Sequence, residues 1–107
     1  MVLGAIDSVR VAAVCAAVGP QRLRELVLLL GGRVAQLAAA AALYPDAAED
    51  FMAALHQSRG SAASLGLVAL AEGLACVEAR AKTSGDVAAA GRGLIALWED
   101  VKEELLF

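Results

Sequence analysis

The side chain richest in chemistry in this 107-residue chain is its only histidine, His56. Imidazole has an unperturbed pKa of about 6.5, so a neutral ring with a nucleophilic nitrogen is plentiful at physiological pH. Arg59 follows three residues later and Gly60 four, within Leu55-His56-Gln57-Ser58-Arg59-Gly60-Ser61-Ala62-Ala63-Ser64-Leu65-Gly66. On a helix, residues three and four apart are neighbours, which sets a cation and a residue without a side chain beside the ring. Other uses of the histidine lack parts. No serine or cysteine stands at a telling spacing for a nucleophile triad, and there is no Gly-rich phosphate loop of Walker type. Cys15 and Cys76 form no CxxC, and one histidine does not complete a usual zinc site. A haem bundle using His56 and Met52 fails on geometry, because residues four apart on one helix do not reach opposite faces of a haem.

The stretch reads as a helix. Phe51, Leu55, Ser58, Ala62 and Leu65 recur at spacings of four and three and form one apolar stripe. At ~100° per residue, His56 points roughly 130° away from the middle of that stripe, on a face the helix does not bury. Gly60 lies one turn further on nearly the same face. An interior glycine costs about 1 kcal/mol relative to alanine, and alanine is the residue this chain uses most freely. The reading we take is clearance: nothing bulky stands beside the imidazole.

These residues, His56 to Gly66 followed by Leu70, Leu74, Cys76 and Glu78, resemble the histidine phosphotransfer (HPt) domain. The family pattern runs histidine, two variable residues, lysine, glycine, two or three small residues and leucine-glycine. A second helix follows, often with a cysteine and a leucine-glutamate pair. Arg59 stands where lysine is usual and Val77-Glu78 where leucine-glutamate is common. Arginine and lysine are not interchangeable where geometry matters.

The resemblance implies a phosphocarrier in a multistep two-component phosphorelay. His56 would be the phosphoacceptor, taking a phosphoryl group from a receiver-domain aspartate and passing it to another receiver. Arg59 would neutralise phosphoryl charge; its alternative is a solvated helix arginine. Gly60 would supply clearance. Gln57 and Ser61 would bond the ring or phosphoryl group, or else are ordinary surface polarity. Met52 and Ala63 flank His56 along its face and would form a small apolar docking surface, or are simply exposed or part of the core. The implied partners are response-regulator receiver domains and an upstream sensor or hybrid histidine kinase. Mg²⁺ and a lysine would come from the receiver; the chain itself is expected to need no cofactor or metal. With no ATP-binding domain it is a relay protein rather than an autonomous enzyme. The rival from another class is a helical interaction or scaffold domain, such as a degenerate HPt domain that accepts no phosphate.

The elements that must position these residues follow from length and periodicity. A chain of this length forms one domain with its own core. Hydrophobic residues make up 60% and aromatics 4%, a composition for closely packed helices. The net charge of −3 and scattered basic residues exclude electrostatic attraction to nucleic acid or anionic membrane. Mean hydropathy is +0.67, so Leu26–Tyr44 needs weighing as a span. Its glycines, Arg33 and Gln36 make it a weak one. Arg10 before Val11–Val18 faintly resembles a signal peptide, against which stand Asp7 and the continuing helical pattern. We expect a monomer in the reducing cytosol with both thiols free and buried.

In order, Asp7 or Ser8 caps a short helix carrying Val9, Val11, Val14 and Val18, which Gly19-Pro20 ends. The next helix runs from Pro20 to Leu43 with Leu23, Leu26, Val27, Leu30, Val34, Leu37, Ala38 and Ala41 as its seam. Gly31-Gly32 interrupts it as a kink, a close helix crossing or a true break. After a Tyr44-Pro45-Asp46 turn, Pro45 opens the helix that carries His56, which ends near Gly66. A fourth helix spans Leu67 to Lys82 and buries Leu67, Leu70, Leu74 and Val77. The last spans Asp86 to Leu106, its seam Val87, Ala90, Leu94, Leu97, Val101 and Leu105 with Trp98 packing at the flank. Short links favour antiparallel neighbours. The expected fold is all-α, an antiparallel up-down four-helix bundle with a short additional N-terminal helix.

Overall fold

Glycine, proline and capping side chains divide the apolar periodicity into five helices. A computed structural model describes residues 6–105. The helices are α1 (Ser8–Val18), α2 (Pro20–Leu43), α3 (Ala48–Ser64), α4 (Val68–Ser84) and α5 (Val87–Leu105). The fold is all-α, and no strand occurs among the described residues.

Each boundary has a local cause. Asp7, rather than Ser8, caps α1: its Oδ1 accepts from the backbone N–H groups of Val9 and Arg10 at 3.1 Å each. Pro20 opens α2, where its missing N–H costs nothing. α3 begins at Ala48 instead of Pro45, because Pro45-Asp46 stays in a turn closed by Ala47 N–H donating to Tyr44 O at 3.0 Å. Glu49 and Asp50 occupy its first turn, where the helix dipole favours them. α4 continues past Lys82 to Ser84, and Asp86 Oδ1 then accepts from Ala89 N–H at 3.0 Å to start α5. The expected end at Leu106 lies outside the described residues, as does the side chain of Leu105.

One hydrophobic core joins the helices. Val34, Leu55, Leu70, Leu74 and Leu94 are fully buried within it, each side chain contributing about 1.5–3 kcal/mol of burial. α2 packs on α3 and α5, α4 packs on the same two, and α1 lies against α2. Gly31 does not break α2. A Cβ there would fall inside the Trp98 ring of α5, and a Cβ on Gly91 would stand 2.7 Å from Ala41 Cβ. The glycine pair in α2 therefore marks a close crossing, made by Gly31; Gly32 faces nothing within 4 Å.

By length and composition α2 is apolar enough to cross a membrane. In the fold its stripe, Leu23 to Ala41, faces the core, while Arg22, Arg24, Arg33 and Gln36 are exposed. The expectation of two buried thiols needs correction. Both cysteines are free, but Cys15 is only half-buried and Cys76 is exposed. Two residues from both Leu74 and Glu78, Cys76 is turned roughly 200° from that buried register.

Candidate functional site

α3 is held firmly at the end that follows the histidine. Gly66, at φ +80°, takes the left-handed turn that stops the helix. Leu67 N–H donates to Ala62 O at 2.9 Å and Gly66 N–H to Ala63 O at 3.0 Å, the paired bonds of a Schellman ending. The remaining terminal carbonyl, Ser64 O, accepts from Arg10 Nε at 2.9 Å. Asp7 N–H donates to Gly66 O at 2.8 Å, so the start of α1 is tied to the α3–α4 turn.

His56 sits mid-helix on this scaffold with its side chain 64% exposed. Behind it lies Glu78 of α4, whose side chain is 5% exposed. Glu78 Oε2 is 3.4 Å from His56 Nδ1 and 3.7 Å from Lys82 Nζ. Glu78 Oε1 is 3.1 Å from Arg59 Nη1. That ion pair is close but not aligned as a hydrogen bond, so the buried Oε1 has no directed donor. The other arm of the fork explains why: Arg59 Nη2 is 3.1 Å from His56 Nδ1. Guanidinium only donates, so that contact is a hydrogen bond in the tautomer with its proton on Nε2. With the proton on Nδ1, the ring donates toward Glu78 instead. Nδ1 thus stands between a cation and a buried anion, and which of them it engages decides whether Nε2 carries a lone pair.

The other expected site residues are placed as follows. A Cβ on Gly60 would meet no atom within 4 Å, so the space at Gly60 is open, and it lines the groove between α3 and α2. Gln57 and Ser61 make no hydrogen bond to the ring. They line a groove between α3 and α2 with Leu29, Arg33 and Leu65. Met52 is half-buried against the core, and Ala63 is exposed. The larger exposed apolar side chains near that groove are Leu28 and Leu29 of α2. The sequence reading missed them, because the run Leu26 to Leu30 hides which leucines lie off the stripe.

It also gave Glu78 no role and placed Val77 on the buried face. Val77 is half-buried and Glu78 is buried, in line with Leu70, Leu74 and Ala81. A glutamate in register with a leucine stripe was the available signal. Lys82, four residues on, completes the cluster. Among the described residues no three His, Cys, Asp or Glu side chains gather as a metal would require. The chain matches no protein-family model, no curated protein and no solved structure.

Proposed function

We propose that the chain is a histidine phosphotransfer domain, an antiparallel up-down four-helix bundle preceded by α1. It accepts a phosphoryl group on His56 from a receiver-domain aspartate and passes it to a second receiver in the cytosol. The observation that carries this reading is the exposed imidazole backed by a buried carboxylate. A carboxylate facing Nδ1 favours a proton there, which leaves the Nε2 lone pair for attack. As the N–P bond forms, the P–O bond to the partner's aspartate breaks and its electron pair leaves on that carboxylate. The ring gains positive charge, which Glu78 stabilises through Nδ1–H.

Arg59 is within reach of the ring and supplies positive charge for the phosphoryl oxygens. Gly60 leaves room for the incoming acyl phosphate. Transfer of this kind depends on positioning and charge neutralisation, and a helix fixed at its end gives positioning. The groove between α2 and α3, with Leu28 and Leu29 at its edge, is the surface on which a receiver docks.

Incubation with phosphorylated receiver domains should label the chain with acid-labile, alkali-stable phosphate. His56→Gln should keep the helical circular dichroism and take up no label. Equal labelling of mutant and wild type would remove the assignment.

A further inference from the structure

Glu78 serves three partners at once, and one of them stands apart. Arg59 contacts both Glu78 and the ring. Lys82, one turn further along α4, contacts Glu78 alone among the site residues, and its side chain is 67% exposed. We propose that Lys82 is the standing counter-ion of Glu78, which releases Arg59 from Glu78 and from His56 Nδ1 to meet an arriving phosphoryl group. This rests on the phosphoacceptor role of His56.

A carboxylate as enclosed as Glu78 is expensive to leave unpaired. Were Arg59 its only cation, turning Arg59 toward a phosphoryl group would strand it. Lys82 keeps Glu78 paired whichever way Arg59 turns.

Arg59 also controls the tautomer. While it donates to a bare Nδ1, the ring proton is on Nε2 and that nitrogen has no lone pair to offer. Once Arg59 turns away, Nε2 gives its proton to water and Nδ1 takes one from water. Nδ1–H then faces Glu78 Oε2, 3.4 Å away. The Nε2 lone pair forms the N–P bond as the donor's bond to phosphorus breaks and the leaving group takes that electron pair. The charged groups facing the ring are Arg59 on α3 and Glu78 on α4, with Lys82 of α4 against Glu78. α2, the other helix packed on α3, presents Arg33 beside Gln57.

Phosphoramidate, a small donor that needs no docking surface, tests the proposal. Lys82→Met should slow labelling of His56 about tenfold, and Lys82→Arg should restore it. In an Arg59→Gln background, which keeps a donor beside Glu78, Lys82→Met should change the rate less than about twofold. An unchanged rate in Lys82→Met would overturn the proposal, as would an equal slowing in both backgrounds. A second measurement needs no phosphorylation. The chain has one histidine, so nitrogen NMR reads its tautomer without ambiguity. Lys82→Met, which leaves Arg59 held beside Glu78 and Nδ1, should raise the share of neutral ring carrying its proton on Nε2. An unchanged tautomer share would overturn the proposal. A wild type that takes no label while the tautomer share still shifts would overturn the phosphoacceptor role, and the exchange with it, leaving only the ion pairing.

Discussion

Two helix–helix seams of this fold solve opposite problems. Between α2 and α5, Gly31 omits a side chain so that Trp98 comes in. Between α3 and α4, a full-length charged side chain, Glu78, is taken out of water and held by groups at the rim. The first seam is apolar and its stability depends on shape. The second depends on charge, with Glu78 held between Arg59 and Lys82. Gly60 of α3 lies in the groove toward α2, and its empty surroundings are the reverse of those at Gly31. The same residue type inside a helix is thus pressed by an indole in one place and stands in open space in the other.

Three variants put the contrast at risk, each read by urea unfolding with circular dichroism. The largest effect is expected from Arg59→Ala combined with Lys82→Ala. It leaves a buried carboxylate without a cation and should cost about 3 kcal/mol. A loss below about 1 kcal/mol would mean that the carboxylate is reached by water and that the seam is not truly buried. Next comes Gly31→Ala, which forces a methyl into the space of Trp98 and should destabilise by about 1–3 kcal/mol. No loss there would show that the indole has room to retreat. The smallest is Gly60→Ala, which should stabilise by up to about 1 kcal/mol, because helix propensity improves and nothing is struck. Gly60→Leu should leave the fold intact and slow phosphoryl transfer. Equal transfer rates would sharpen the contrast differently, making Gly60 a residue of no consequence to access.

The sequence carried the all-α class because the three-four spacing of apolar residues is continuous from Leu23 to Ala41 and recurs in each later segment. It also carried the outward phase of His56, since phase depends only on counting. It did not carry what faces each glycine. Gly31 and Gly60 look alike in one dimension, and the difference lies in a tryptophan 67 positions away from Gly31. Glu78 was hidden by its own type: apolar periodicity passes over a glutamate and selects Val77, although the leucine register points to position 78. Lys82 was legible only once Glu78 had been placed, because a surface lysine near a helix end otherwise has a sufficient explanation in the dipole. Cys76 was read as buried from its residue type, while its position between two inward residues turns it out.

The end of α3 extends these consequences to a distant part of the chain. Arg10, 54 residues away, closes the helix at Ser64, and Asp7 closes the turn behind it. The stiffness available to the imidazole is therefore set in part by a short leading segment that never touches it. Any change that unseats that segment will loosen the helix on which the imidazole is mounted.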